Sequence, residues 1–478
     1  MHKTNRKISR VKSRDLDSNW IVAEYYLPEY LDLEQKIKNN FNKKLKFKQI
    51  AGITRVTGFE VEKYLKIVDE GVNYLRVKNV NDCFIDYTDM QHIPNDVHQI
   101  FQKSQYSHND IALTITGRVG SAAIITDNKQ DYNSCQDVVK VSIKNKKSID
   151  PYYLTVYLNS EPNGRLLKRF NSGGSRPRTL INNVRDVKIP IPPLEIQKYI
   201  GDKVRKAEQM RKDADRFKNE AEEIFNKELH VKKYLNTTKK FEDKFTFVKS
   251  IDLKTRIDSE YYKNEFIYYE QMLKGIGVQK VYLKDIAKSI KTGTTPKAKY
   301  LTVETQDIYF IRVENVIANM INLNNILHII NASDLRLKFI YKNDILVTIA
   351  GTIGRSAVLN YDRCTINQNV AAITINKNQG ILPHYLAFFF NSILGKMSLE
   401  RASTQATIKY INNEILKSVE IPMIRMEKQV AIENLINKWA LITNNSKQLI
   451  HEAKQDVEDL IEGNFDMSKL DKIEKEAE

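Results

Sequence analysis

The feature that most constrains this chain is that it contains itself twice. Ile111–Ile125 (IALTITGRVGSAAII) is matched by Ile345–Leu359 (ILVTIAGTIGRSAVL), which aligns Gly117 with Gly351, Gly120 with Gly354 and Ala123 with Ala357, 234 residues apart. The echo runs on in register. Tyr74–Val80 (YLRVKNV) answers Phe310–Val316 (FIRVENV), and Pro151–Ser160 (PYYLTVYLNS) answers Pro383–Ser392 (PHYLAFFFNS). Pro190, Glu195, Gln197 and Ile200 fall 232 residues before Pro422, Glu427, Gln429 and Ile432. Solenoid units run to a few tens of residues, so a period this long marks a duplicated domain. Two similar domains on one chain suit a target with two half-sites, because tethering makes the second contact effectively intramolecular.

Composition narrows the partner. Lys and Arg number 75 against 59 Asp and Glu in 478 residues, a net charge of +16, which favours an extended anion such as nucleic acid. The basic start (Lys3, Arg6, Lys7, Arg10, Lys12, Arg14) lacks the apolar stretch of a signal peptide, and the longest apolar run, Tyr385–Phe390, is too short to span a bilayer. The expected location is cytoplasmic, with no membrane partner. Three widely spaced cysteines, Cys83, Cys135 and Cys364, offer neither a disulfide framework nor a zinc pattern.

Each copy, up to about residue 190 and again over about 240–425, mixes short β-rich runs such as Ala112–Thr116 and Val138–Ile143 with loops bearing Gly, Asn and Asp, so the expected fold class is α+β. Each copy ends on proline, Ile189–Pro193 (IPIPP) and Ile421–Pro422, which closes the last strand. A long helix follows both times. In the first, Ala207, Met210, Ala214, Phe217, Ala221 and Ile224 step by threes and fours; in the second, Ile432, Leu435, Trp439, Ile442, Ser446, Leu449 and Ala453 do so before Gly463. About 35 residues at roughly 1.5 Å each make a rod of about 50 Å. That exceeds what a helix lying on its own globule needs, the plainer alternative. Pairing of the two is therefore expected, antiparallel and relating the globules by a pseudo-two-fold axis, with Phe217, Ile224, Leu435, Trp439 and Leu449 at the spacer or partner interface. The expected divisions are 1–194 (first globule), 195–237 (helix), 238–426 (second globule), 427–463 (helix) and 464–478 (tail). No repeat partner is assigned to the basic N-terminal arm or to Asp466–Glu478 (DMSKLDKIEKEAE).

Motifs of catalysis are missing. The chain has no G-x-x-x-x-G-K-[ST], no H-E-x-x-H, no paired C-x-x-C and no G-x-S-x-G. Gly351-Thr-Ile-Gly354 lacks the lysine of a phosphate loop, and its twin Gly117-Arg-Val-Gly120 reads as a turn or bulge. Asp86, Asp89 and His92 have a spacing that would gather metal ligands on a helix, but the second copy shows nothing comparable, and no metal is expected. Pro192-Pro193 is flanked by Ile and Leu, which cannot hold a flipped base as the Asn/Asp-Pro-Pro-aromatic tetrapeptide of amino-methyltransferases does. No catalytic residue is assigned.

The order globule, Pro-Pro-Leu-Glu-x-Gln, helix, globule, Pro-x-x-x-x-Glu-x-Gln, helix resembles the specificity subunit of type I restriction-modification enzymes over nearly the whole chain. The pieces that carry it are Ile189–Gln197 (IPIPPLEIQ), the Thr-x-x-Gly-x-x-Gly-x-(Ser/Ala)-Ala segments at Thr114–Ala123 and Thr348–Ala357, and Leu180-Ile181-Asn182-Asn183 with Tyr410-Ile411-Asn412-Asn413. The resemblance implies that each globule is a target-recognition domain reading half of a bipartite duplex DNA sequence. It implies that the helices form an antiparallel spacer docking two modification (methyltransferase) subunits, and that ATP-dependent restriction subunits can join. No cofactor is expected on this chain; S-adenosylmethionine, ATP and magnesium are expected on the partners, which methylate adenine. The second copy departs from the first at Met423-Ile-Arg-Met against Ile191-Pro-Pro-Leu, and at Arg401–Lys409 (RASTQATIK) against Asn171–Thr179 (NSGGSRPRT). Divergent loops on matching frameworks suit two different half-sites.

Arg and Lys read guanine, Asn and Gln read adenine, and phosphates accept any well-placed donor. The DNA-binding candidates are accordingly Arg55, Thr57, Arg176 and Arg178 in the first domain, and Lys291, Thr294, Lys297, Gln405, Thr407 and Lys409 in the second. Arg118 and Arg355, beside the paired glycines, are candidates that fit phosphate contact and simple solvent exposure alike. Arg76 and Arg312 fit a shared structural salt bridge as well as DNA contact, and Tyr261-Tyr262 fit base stacking or packing. Two other readings compete: a self-contained methyltransferase or nuclease with an unrecognised motif, which predicts turnover by the chain alone, and a nucleic-acid scaffold with no modification partner.

Overall fold

The computed structural model describes residues 9–16, 21, 23–127, 129–170, 177–232, 235, 247–250, 253, 257, 259–275, 277–331, 337–376, 379–403 and 410–470. Packing divides the chain into two compact units, Met1–Arg211 with Asn444–Glu478, and Lys212–Thr443. Each unit therefore holds one globule together with part of each long helix.

In the first unit, helix α1 (Pro28–Asn40) starts on a proline whose missing N–H costs nothing at a helix start, and buries Tyr30, Leu33 and Ile37 on one stripe. Strand β1 (Lys44–Lys46) leads into β2 (Ala51–Thr54), β3 (Ile111–Thr114), β4 (Ala122–Ile124) and β5 (Val138–Ile143), which form an antiparallel sheet in the order β2-β5-β3-β4. The apolar runs of β3 and β4 are buried throughout, as suits strands covered on both faces, whereas β5 alternates and faces water at Lys140 and Ser142. Helix α2 (Pro151–Asn159) covers the sheet, started by Asp150, whose Oδ1 accepts from the Tyr152 N–H (2.8 Å). Strand β6 (Lys188–Pro190) pairs with β1 and is closed by the prolines.

Helix α3 (Leu194–Glu228) follows them. In the second unit, α4 (Asn264–Gly275), β7 (Lys280–Tyr282), β8 (Ala287–Thr292), β9 (Ile345–Thr348), β10 (Ser356–Val358), β11 (Val370–Ile375), α5 (Pro383–Asn391) and β12 (Glu420–Pro422) repeat the plan, with sheet order β8-β11-β9-β10 and β7 paired to β12. Helix α6 (Met426–Glu462) completes it. The α+β class is as expected. The units differ in a second sheet: three strands in the first, centred on Val72–Leu75, and five in the second, with Leu301–Thr302 and Phe339–Tyr341 at its edges.

The repeated motifs are structural joints. Gln197 and Gln429 are both buried. The Gln197 Oε1 accepts from the Asp150 N–H (3.0 Å) while its Nε2 donates to the Pro192 carbonyl (2.9 Å). The Gln429 Oε1 accepts from Leu382 N–H (3.0 Å) and its Nε2 donates to Ile424 (3.0 Å) and Gly380 (2.9 Å) carbonyls. Each glutamine latches the first turn of a long helix to its globule. Asn159 and Asn391 likewise grip the edge strands β4 and β10 by both amide atoms, through Ala122 and Ser356.

Within each unit the two helices run antiparallel. In the first, Lys203 pairs with Asp456 (2.5 Å) and the Ser446 hydroxyl donates to the Ala207 carbonyl (2.9 Å); in the second, Lys438 stands over the Phe217 ring (5.6 Å) and Arg425 meets Glu228 (3.4 Å). A hydroxyl reaching a backbone carbonyl of the other helix requires close approach, which small residues allow. The buried stripe of α3 is Ile196, Ile200, Val204, Ala207, Ala214, Ala221 and Phe225; that of α6 is Ile432, Ile436, Ser446, Ile450, Ala453 and Val457. Phe217, Ile224, Leu435, Trp439 and Leu449 are half-buried and flank this stripe. The expected stripes included Ala207, Ala214, Ala221, Ser446 and Ala453, which close packing buries, while Phe217, Ile224, Leu435, Trp439 and Leu449, expected at the interface, lie at its flank. The helices also join the globular cores, Ile196, Ile200 and Val204 in the first unit and Ile432 and Ile436 in the second, so packing on the globule and pairing coexist.

The N-terminal arm does have a partner. Val11–Leu16 (VKSRDL) matches Val248–Leu253 (VKSIDL), and Glu24-Tyr25-Tyr26 matches Glu260-Tyr261-Tyr262. The Leu16 N–H bonds to the Ser13 carbonyl (3.3 Å) as that of Leu253 does to Ser250 (3.2 Å). The tail is anchored at its start by Lys469 on Asp456 (2.8 Å) and Phe465 against Tyr199, with 471–478 outside the described residues.

Candidate nucleic-acid interface

The Thr-x-x-Gly-x-x-Gly segment builds a tight turn after β3 and β9. Gly117, Gly120, Gly351 and Gly354 all have φ between +72° and +95°, a region in which a Cβ is disfavoured. The threonine closes the turn: Thr114 Oγ1 donates to the Arg118 carbonyl and accepts from Ser121 N–H (3.1 Å), and Thr348 Oγ1 donates to Thr352 (2.5 Å) and accepts from Arg355 N–H (3.0 Å). Arg118 thus corresponds to Thr352 and not to Arg355. Its guanidinium folds onto the Val77 (3.0 Å) and Lys78 (3.4 Å) carbonyls and Asn81 Oδ1 (3.3 Å), bracing a neighbouring turn. The Arg355 side chain is half-buried and makes no hydrogen bond among the described residues.

Beside each turn ends the loop that differs between the copies. Thr116 bridges Arg178 and the Gly117 N–H bonds to the Pro177 carbonyl (2.8 Å); Ala350 bridges Tyr410 and the Ile411 N–H bonds to Ile349 (2.9 Å). Arg176, Gln405, Thr407 and Lys409 lie outside the described residues. Arg178 is exposed and near Arg55, whose guanidinium donates to the Gln136 carbonyl (2.8 Å). Burial, then the like charge of Arg178, lowers the pKa of Arg55, with Asp137 acting the opposite way. Two cations held together at the end of an edge strand favour an anion between or above them. Thr57, by contrast, is occupied: its hydroxyl caps the helix Gly58–Tyr64, accepting from Glu60 N–H (3.2 Å) and donating to the Glu60 carboxylate (2.7 Å).

In the second unit Lys291, Thr294 and Lys297 are all exposed. Lys291 lies on β8, an edge strand, along a cavity of about 480 Å³ lined by Lys291, Thr292, Lys338, Phe339, Tyr341 and Asn413. Asn413 contributes a buried Oδ1 with no hydrogen-bond partner among the described residues. Gly293 permits the close approach of this segment, since a Cβ there would meet the Ile366 carbonyl oxygen at 1.7 Å.

Several other expectations resolve into structure. Arg76 and Arg312 donate to the backbone carbonyls of Asp89 and Asn325, and Arg312 adds an ion pair with Glu314 (2.8 Å); the shared element is the carbonyl contact rather than a salt bridge. Tyr261 and Tyr262 pack edge to face on one another, with Arg401 over Tyr261 (4.3 Å) and on Glu270 (3.0 Å). Arg169 treats Tyr25 (3.7 Å) and Glu34 (2.8 Å) the same way, so these tyrosines serve packing. Asp86, Asp89 and His92 lie on a turn and strand, not a helix, with Asp89 paired to Lys78 (3.1 Å). Among the described residues no group of three or more His, Cys, Asp or Glu is placed to hold a metal, and no helix is long and apolar enough to cross a membrane.

Residues 35–216 and 275–455 each match the family model of the type I restriction modification DNA specificity domain. The chain belongs to that family. It is 24% identical over 400 residues, covering 82% of this chain and 86% of the other, to a putative type I restriction enzyme MjaX specificity subunit of Methanocaldococcus jannaschii. It is 26% identical over 148 residues, 31% of this chain and 30% of the relative, to the EcoBI specificity subunit of Escherichia coli. Among solved structures, the S subunit of a type I system from M. genitalium aligns over 90% of this chain and 97% of its own at 12% identity, with a TM-score of 0.45.

In this specificity-family chain, Asn159 and Asn391 lay inside a matched pair of segments and Arg401 at the head of a compared loop, but no role was assigned to them or to Arg169. Their spacing of 232 residues, shared with Gln197 and Gln429, was the available signal. Gln136 and Gln368, which share that spacing and sit at the candidate interface, were passed over as well.

Proposed function

We propose that the chain reads a bipartite duplex DNA sequence, one half with each unit, and delivers it to modification and restriction subunits that carry the chemistry. The observation that supports this reading best is the contrast inside each family domain: identical joints hold tips of different composition, Arg55 with Arg178 in one unit and Lys291, Thr294 and Lys297 in the other. S-adenosylmethionine, ATP and magnesium then belong to the partners, with adenine as the methylated base. The antiparallel helices act as the spacer, and their half-exposed Phe217, Ile224, Leu435, Trp439 and Leu449 are available to two modification subunits.

The test is to express the chain with and without the methyltransferase polypeptide it captures, and to map methylated adenines. Methylation at one asymmetric bipartite sequence, only with the partner, is expected, and it should fail when the spacer is lengthened by one base pair, because a rigid rod fixes distance and rotational phase. Turnover by the chain alone would favour a self-contained enzyme instead.

A further inference from the structure

We propose that Gln136 and Gln368 are matched phosphate contacts, one per unit, that seat both units on the duplex in the same way whatever the bases. The inference rests on the DNA-reading function proposed above. Around these glutamines the sequence has diverged, Cys135-Gln136-Asp137 against Asn367-Gln368-Asn369, yet the turn is the same. The residue before each donates its N–H to the adjoining strand, Cys135 to Leu75 (2.9 Å) and Asn367 to Ile311 (3.1 Å). The residue after each accepts from the strand that precedes the glycine turn, Asp137 from Ile115 (2.9 Å) and Asn369 from Ile349 (2.9 Å).

Burial does not account for the retained side chain, since Gln136 is half-buried and Gln368 exposed, unlike the buried latches Gln197 and Gln429. Orientation offers a reason. The Gln136 Oε1 lies against Gly58, where a Cβ would stand 2.6 Å away, and the Gln368 Oε1 accepts from the Thr295 hydroxyl. In both units the amide oxygen faces protein, while Nε2 has no hydrogen-bond partner among the described residues. Each therefore presents a neutral N–H donor beside a candidate DNA contact, Gln136 next to Arg55 through its own carbonyl and Gln368 near Thr294, whose N–H bonds to Ile366 (3.2 Å). A donor retained between two tips that otherwise differ serves what their targets have in common. On duplex DNA that is the phosphate oxygens, which position a protein without specifying sequence.

The experiment compares full-length wild type, Gln136→Ala, Gln368→Ala and the double variant on duplex of random sequence and on the site that wild type selects. Each single change should weaken both affinities by about three- to tenfold, the size of one neutral hydrogen bond, and the double should multiply them. Base preference should stay fixed, and the salt slope should shift by less than one unit, because a neutral amide displaces no counterion. Gln136→Glu, which keeps the shape and sets a carboxylate against phosphate, should weaken binding further with thermal unfolding unchanged. Relaxed preference at one base with random-sequence affinity intact would make the glutamine a base reader and overturn the proposal; unaltered binding by all variants would remove both residues from the interface. If wild type binds neither duplex, the functional reading itself fails, a result distinct from either.

Discussion

The two units share their joints and differ at their tips. Both latch a long helix with a glutamine, clamp an edge strand with an asparagine, close a glycine turn with a threonine and hold a tyrosine under an arginine. Among the described residues, the first unit alone clasps its helices with a hairpin, through Asp82 on Lys454 and Phe84 under Arg211 (4.4 Å). The second sheet has five described strands in the second unit against three in the first, setting Phe339 and Tyr341 beside Lys291 in one cavity. Duplication kept what satisfies buried polar groups, where a lost partner is costly, and released what faces solvent, where substitution costs little.

The largest expected effect separates the buried stripe from its flank. Ile436 is buried with Ala221 and Phe225 in the second core, so Ile436→Asp strands a carboxylate and should cost several kcal/mol, seen as a lowered unfolding midpoint. Leu435→Asp, half-buried, lets its carboxylate reach water and should cost less stability while still impairing partner capture. Equal stability loss would mean that the stripe is misplaced.

The latches should be equivalent. Gln197→Ala and Gln429→Ala each leave a buried N–H and carbonyls unpaired, for about 1–3 kcal/mol apiece, measured by denaturant unfolding. Values differing by more than the handful of tenths expected of like sites would break the claim that the joints are shared.

At the tips, Arg178→Ala should weaken binding by about 1–3 kcal/mol with relaxed preference at one base if it reads guanine. It should weaken all sequences alike, and lower the salt slope by about one unit, if it touches phosphate. Binding unchanged on both counts would take the loop out of the interface. The smallest effects distinguish the two arginines beside the glycines. Arg118→Ala gives up contacts to two carbonyls and should cost about 1 kcal/mol of stability with little change in DNA affinity. Arg355→Ala should do the reverse.

The duplication, the strand runs and the helix positions were legible because each rests on pattern: a long period, alternation and proline punctuation. The helix stripes were legible, Ala207 and Ser446 among them, whereas the depth of each residue was not: the helices approach closely enough for a hydroxyl to reach the facing carbonyl, which buries Ala207 and Ser446 and leaves Phe217 and Leu435 half-buried. Thr57 looked like a donor on an irregular loop, but its bond to Glu60 depends on where a short helix begins, and composition alone did not fix that start. Arg55 and Arg178, 123 positions apart, come near one another through the strand pairing of Ala51–Thr54 and the Thr116–Arg178 bridge, which no local pattern encodes.

Independence of the units is the central claim. Replacing residues 240–425 by the same region of a family member with a different target, then mapping the methylated sequence of the assembled complex, tests it most directly. The account predicts that one half of the bipartite sequence changes while the other half and the spacing stay as in the parent. A change in both halves would contradict it.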